Sequence, residues 1–122
     1  MLSIDKYSPV PIYLQVMSKF EELIFADVLK SEEQLPSVRT LAKDLGINPN
    51  TLQRAYTEME NQKICVSVPG SGRYVSKQAK EIITKRKQAG LKGIKKIIKD
   101  AKQSGSTLED ILEIVRKAYE EV

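Results

Sequence analysis

The stretch from Leu35 to Val75 holds two short apolar periods separated by one glycine, then a glycine-tipped alternation. Val38, Leu41, Ala42 and Leu45 recur at i, i+3, i+4 and i+7, the spacing of one buried helical face. Ser37 stands where a hydroxyl oxygen accepts a bond from an N–H one turn in. Gly46 tolerates the left-handed backbone that ends a helix. Asn48 then caps a second helix, with Pro49 at its first position, where a missing N–H costs nothing. Leu52, Ala55, Tyr56 and Met59 form the buried face of that helix, and Asn50, Thr51, Gln53 and Arg54 its opposite face. Two short helices joined by a tight glycine turn form the helix-turn-helix pattern, whose second helix enters a DNA major groove.

A ribbon follows. Ile64, Val66 and Val68 alternate with Cys65 and Ser67, which predicts a strand with the first three on its buried face. Pro69-Gly70-Ser71-Gly72 is a turn signal, and Arg73-Tyr74-Val75 the returning strand. The fold expected is mostly α with a small β-hairpin, a winged helix-turn-helix over residues 1–76, followed by a helical hairpin over residues 77–122. The motifs Leu35-Pro36-Ser37-Val38-Arg39, Leu45-Gly46-Ile47-Asn48-Pro49-Asn50-Thr51, Arg54-Ala55-Tyr56 and Pro69-Gly70-Ser71-Gly72-Arg73-Tyr74-Val75 stand in an order that closely resembles the DNA-binding domain of the GntR family of bacterial regulators. The Asn-Pro-Asn-Thr run and the short tail resemble its YtrA subfamily. The chain departs from the family where glycine is usual, carrying Asp27 and Glu32 before the Leu-Pro-Ser motif and Lys63 after the second helix. The resemblance implies a transcription regulator, a repressor of transporter genes of the ABC type, acting on a palindromic double-stranded DNA operator.

Candidate DNA-binding residues are Ser37, Arg39, Asn48, Asn50, Thr51, Gln53, Arg54, Gly70, Gly72 and Arg73. Asn50, Thr51 and Gln53 are the base readers, glutamine having the reach for a bidentate contact with adenine. Arg39 owes its role to the resemblance, while the two glycines let the wing backbone approach a groove or phosphate. Arg54 faces either a phosphate or an acidic neighbour. Residues 1–75 hold eight Lys/Arg against nine Asp/Glu, a net −1, so DNA attraction there relies on local clustering of Arg39, Lys43, Arg54, Lys63 and Arg73. This acidic balance is the one feature favouring the alternative, a winged helix that docks a protein and does not read DNA.

From Ile12 to about Ala26, Ile12, Val16, Phe20, Leu23 and Ile24 predict a first helix backing the motif. Residues 27–34 read as a polar, mobile loop. Residues 76–105 hold ten Lys/Arg against two Asp/Glu, a net +8, on a long helix from Lys77 to about Gln103. Gly90 and Gly93 are its weak points, sites of a kink, a break or a close helix approach. Its lysines read as a solvated face, with flanking DNA phosphates or a nucleotide-like ligand as the alternative partner. Ser106 and Glu109 suggest a capping box for a last helix, whose face is Leu108, Ile111, Leu112, Val115, Tyr119 and Val122. With Ile94, Ile97 and Ile98 from the long helix, this seam lacks a partner, and a second copy of the chain is the simplest one. Burying about eight such side chains is worth roughly 12–24 kcal/mol gross, against roughly 4–15 kcal/mol for association. A homodimer also supplies the symmetry a palindrome demands.

No histidine is present, so there is no His base or His metal ligand, and one cysteine excludes a Cys-based zinc site. No phosphate-cradling Gly-Lys-Ser/Thr loop occurs. Nothing supports an enzyme, a metal or a cofactor. No apolar run is long enough to cross a membrane, and the start lacks a secretory pattern, so a reducing cytoplasm is the expected compartment. Cys65 reads as an inert small residue. A small-molecule effector is left open, and with about 46 residues in the tail it would use a dimer seam or an interdomain groove.

Overall fold

In the computed structural model, which describes residues 2–121, the elements run α1 (Ile12–Phe25), α2 (Val38–Leu45), α3 (Pro49–Asn61), β1 (Cys65–Val68), β2 (Gly72–Val75), α4 (Ala79–Gln103) and α5 (Leu108–Glu120). This is the mostly helical winged helix-turn-helix that the sequence predicts. The caps set the boundaries. Ser37 Oγ accepts from the Thr40 N–H at 3.1 Å, and Asn48 Oδ1 from the Asn50 N–H at 2.8 Å.

The first four helices close with one device. The first residue after the last turn takes positive φ, and two N–H groups reach back to carbonyls three and five residues earlier. In α2 these are Gly46 to Lys43 at 3.2 Å and Ile47 to Ala42 at 3.0 Å; in α3, Lys63 to Glu60 and Ile64 to Met59, both 2.9 Å. Asp27 and Val28 close α1, and Gly105 and Ser106 close α4, in the same way. Asp27 (φ 60°), Glu32 (φ 67°) and Lys63 (φ 63°) are the non-glycine residues with left-handed backbone among the described residues. They are also the three places where this chain lacks the family's usual glycine. The loops therefore keep the glycine conformation and bear its steric cost.

One core unites Val16, Met17, Phe20 and Ile24 of α1 with Leu41 and Ala42 of α2 and Leu52, Ala55, Tyr56 and Met59 of α3. Leu35, Ile64, Cys65 and Val75 complete it, together with Ala79 and Ile83 from the start of α4. The N-terminal arm lies on this core through Leu2 and Ile4, and Lys6 Nζ donates to the Gly46 carbonyl at 3.0 Å. The chain divides into two compact units, residues 1–85 and 86–122. In the second, α5 has no buried side chain among the described residues.

Four expectations are corrected. The ribbon has the opposite phase: Cys65 is buried, whereas Val66 and Val68 are each 44% exposed. Ile64 is buried as the last residue of the α3 turn, and along β1 Cys65 alone is buried, Ser67 being exposed like the two valines. Residues 32–35 are not a free loop. The Glu32 N–H donates to the Val75 carbonyl at 2.8 Å, the Val75 N–H to Glu33 O at 2.9 Å, and the Leu35 N–H to Arg73 O at 2.8 Å, so this segment pairs along β2. The capping box of α5 is Thr107 with Asp110, not Ser106 with Glu109: Asp110 N–H donates to Thr107 Oγ1 and Thr107 N–H to Asp110 Oδ2, both at 3.1 Å. The Ser106 N–H is already spent on the Ala101 carbonyl at the end of α4. Finally, of the options at Gly90 and Gly93 the break is excluded, since α4 runs through both, and no described residue of this chain lies within 4 Å of where either would carry a Cβ. Val122, placed on the α5 face by its spacing, lies outside the described residues.

Replacing Lys63 by glycine relieves a left-handed residue that costs roughly 1–2 kcal/mol, less roughly 0.4–1 kcal/mol of added unfolded-chain entropy. The Lys63→Gly variant is expected to unfold a few degrees higher in a thermal melt. A lower melting temperature would show that the lysine side chain stabilises the turn.

Candidate nucleic-acid interface

The outward face of α3 carries Asn50 and Gln53 exposed and Thr51 half-buried. Gln53 Nε2 donates to Thr57 Oγ1 at 3.3 Å, a long bond within one helix that a base edge can replace. Beside Gln53 lies a cleft of about 380 Å³ lined by Pro36 and Ser37 ahead of α2, Tyr56 of α3, and Gly72 and Arg73 of the wing. Helix α3, the N-terminus of α2 and the wing therefore meet at one surface.

The structure divides the candidate residues by what already holds them. Ser37 and Asn48 act as caps, and the Ser37 hydroxyl also donates to Thr40 Oγ1 at 2.8 Å. Arg39, at the second position of α2, is exposed and pairs with no described residue. Arg54 turns toward α1: its guanidinium carbon sits 3.8 Å from the Tyr13 ring centroid, and Nη2 donates to the Tyr13 hydroxyl at 3.2 Å. Among the described residues, neither an acidic partner nor the open face of α3 holds it.

Arg73 is likewise engaged. Its Nε lies 3.5 Å from Glu60 Oε1, an ion pair without hydrogen-bond geometry, and its guanidinium carbon lies 5.4 Å from the Tyr56 ring centroid. Glu60 Oε1 also accepts from the Ser67 hydroxyl, and Ser67 is the cross-strand partner of Arg73. This cluster pins the base of the wing to the end of α3. At the tip, Gly70 has φ 75° with open space around it, and Gly72 has φ 134°. A Cβ on Gly72 would meet Gln34 Nε2 at 2.7 Å, the group that donates to the Ser71 carbonyl at 3.0 Å. Ser71 and Tyr74 hydroxyls bond one another. Sequence reasoning missed Tyr13, Gln34, Glu60 and Ser67, because only the folded register brings them to the arginines and the wing.

Burial raises the Tyr56 hydroxyl pKa well above its ordinary value, with Arg73 opposing and Cys65 adding to the rise. Burial, then the Glu60 carboxylate, pushes the Cys65 thiol up to about 11 against an opposing effect of Arg73. The thiol is thus protonated at neutral pH and a poor nucleophile.

Fold and surface together define a winged helix-turn-helix DNA-binding protein. Residues 12–75 match the family described as bacterial regulatory proteins, gntR family. The chain is 36% identical over 123 aligned residues to the HTH-type transcriptional repressor YtrA of Bacillus subtilis (strain 168), with 100% of this chain and 95% of that protein covered. A crystal structure described as a transcriptional antiterminator from Listeria monocytogenes EGD-e superposes with TM-score 0.72 at 31% identity, covering 98% of this chain and 90% of that one. A GntR family transcriptional regulator from Listeria monocytogenes gives TM-score 0.69 at 31% identity, covering 93% and 98%. This chain belongs to the GntR family. It is a DNA-binding transcriptional regulator and not an enzyme.

Cys65 is expected to react with a thiol reagent at neutral pH far more slowly in the native protein than in denaturant, with the native rate rising toward pH 11. Equal rates in the two states would mean that the strand opens freely.

Proposed function

We propose that the chain is a cytoplasmic repressor that binds a palindromic operator as a homodimer, with base contacts from Asn50, Thr51 and Gln53, phosphate contacts from Arg39, and the wing tip at Gly70 and Gly72 approaching the backbone. Residues 1–76, with the first turns of α4 packed into their core, supply the reading head, and the remainder of residues 77–122 the dimerisation hairpin. Transporter genes of the ABC type, its own operon among them, are the proposed targets, by the likeness to the YtrA subfamily.

The observation that carries the dimer is the bare apolar face of residues 86–122. Leu108 is 65% exposed, Val115 49% and Tyr119 84% on α5, with Ile94, Ile97 and Ile98 exposed on α4. Leu91 and Ile114, which periodicity did not single out, extend this apolar surface. A face of this kind on a water-soluble regulator favours a second copy of itself, which matches each apolar residue with another under two-fold symmetry.

Because Ala79 and Ile83 complete the first core, the informative fragment ends at Lys85. That fragment is expected to sediment as a monomer while the full chain sediments as a dimer. Ile111→Asp with Val115→Asp should give a folded monomer by placing unpaired charges in the seam. A dimeric 1–85 fragment would move the interface to the winged helix.

The DNA reading is tested on the chain's own promoter by mobility shift. Gln53→Ala is expected to weaken the specific complex by about 1–3 kcal/mol and leave binding to random DNA nearly intact. Equal loss on both would reduce Gln53 to a backbone contact.

A further inference from the structure

The reading head is short of free positive charge. Of its arginines, Arg54 is stacked on Tyr13 and Arg73 is paired with Glu60. Lys6 is bound to the Gly46 carbonyl. Of the expected cluster, Arg39, Lys43 and Lys63 remain exposed and without an ion pair among the described residues, in a segment, residues 1–75, whose net charge is −1. DNA binding draws its sequence-independent affinity from cations that displace counterions from phosphates. The chain's cationic surplus lies elsewhere, on α4.

That surplus is ordered on the helix. Lys85, Lys92, Lys96 and Lys99 fall at i, i+7, i+11 and i+14, along one face of α4. Ile94 and Ala101 fall on the opposite face, so the lysines point away from the apolar seam. Lys85 pairs with Glu81 at 3.0 Å, whereas Lys92, Lys96 and Lys99 are exposed and have no ion pair with a described residue. No acidic residue of α5 pairs with them among the described residues: Asp110 is held in the capping box, Glu113 pairs with Lys117 at 3.1 Å, and Glu109 and Glu120 are exposed without an ion pair. In a protein that already binds DNA, the phosphate backbone is the polyanion that fits this stripe.

We propose that Lys92, Lys96 and Lys99 form a second, sequence-independent DNA-binding surface that takes the phosphate backbone of duplex outside the operator half-sites. It rests on DNA binding by the reading head, and raises affinity for long DNA without adding specificity. Three lysines spaced four and three residues apart cover about 10 Å of helix, a length over which duplex DNA carries roughly six phosphates.

The test compares the full chain with a Lys92→Gln, Lys96→Gln, Lys99→Gln variant on a 60-bp duplex of random sequence across a salt series. Glutamine keeps helix propensity and removes only the charge. Dimer mass by sedimentation and the thermal melt should be unchanged. The slope of log affinity against log salt should become shallower by about 2–5 in the variant, at about 0.9 per phosphate released. On a 14-bp duplex, sized for one head, wild type and variant should agree within twofold. A control variant, Arg116→Gln with Lys117→Gln, removes charge from α5 and should leave the slope on the long duplex nearly as in wild type. Equal slopes for wild type and the triple variant would overturn the proposal. So would an equal loss in the control, which would make the effect one of net charge alone. A salt-sensitive self-association lost in the triple variant, with DNA binding unchanged, would assign the stripe to the acidic α5 of another copy. If wild type itself binds neither duplex at low salt, the reading head fails first, a result distinguishable from loss of the stripe alone.

Discussion

Tyr56 is the interaction on which the reading head depends. Its ring is 1% exposed and packs edge-on against Phe20 of α1, with centroids 5.7 Å apart. Its hydroxyl donates to the Pro36 carbonyl at 2.8 Å, fixing the segment that leads into α2. Its other side faces the Arg73 guanidinium of the wing. One side chain on α3 therefore sets the supporting helix, the entry to the preceding helix and the wing. A buried hydroxyl without a partner costs roughly 1–3 kcal/mol, so the Pro36 carbonyl cannot drift without penalty. The raised hydroxyl pKa is the electrostatic trace of the same burial.

Around this hub the polar groups divide between architecture and recognition. Ser37 and Asn48 are consumed in caps, Arg54 on Tyr13 and Arg73 on Glu60. Asn50, Gln53 and Arg39 remain available, together with the wing backbone at Gly70. The frame consumes most of its own polar groups, with Arg73 Nε the buried one left without a hydrogen bond, and leaves few of them exposed. The shortage of free cations on the head follows from the same arrangement: two of its three arginines, Arg54 and Arg73, hold the fold together.

Much of this was legible because helix ends are written locally. Ser37, Gly46, Asn48 and Pro49 act within four residues of themselves, and each does what its chemistry predicts. The apolar faces of α1 to α3 were likewise read from period alone, with Met17 omitted and Leu23 included although it lies outside the core. The misses share a cause. Whether Ile64 belongs to the turn or to the strand depends on the Lys63 conformation, and that single residue reverses the phase of the ribbon. Whether Ser106 or Thr107 caps α5 depends on how α4 ends. The partners of Arg54 and Arg73 lie 41 and 13 positions away, and no local pattern reports them. Residues 32–34 read as part of a loop because their pairing is with a strand about forty residues on.

Two of the strained turns show how nonlocal contacts take over from glycine. Asp27 pairs with Lys80 at 2.6 Å, and Glu32 with Lys77 at 3.7 Å. Both pairs are exposed, so each contributes at most about 1 kcal/mol, against roughly 1–2 kcal/mol for a left-handed residue with a side chain. The ion pairs alone do not offset the strain. The backbone does the rest: Glu32 is held by its N–H bond to Val75, and Asp27 by its own N–H bond to Ile24. Ser76, next to Val75, gives its hydroxyl to the Lys63 carbonyl at 2.7 Å and its N–H to Ile64 O at 2.9 Å. All three left-handed residues are thus braced by the few residues between the end of β2 and the first turn of α4. With Ala79 and Ile83 buried just beyond, the start of α4 is a structural part of the reading head. Lys80 in its first turn and Lys77 just ahead of it serve that bracing, which separates them in role from the unpaired lysines farther along the helix.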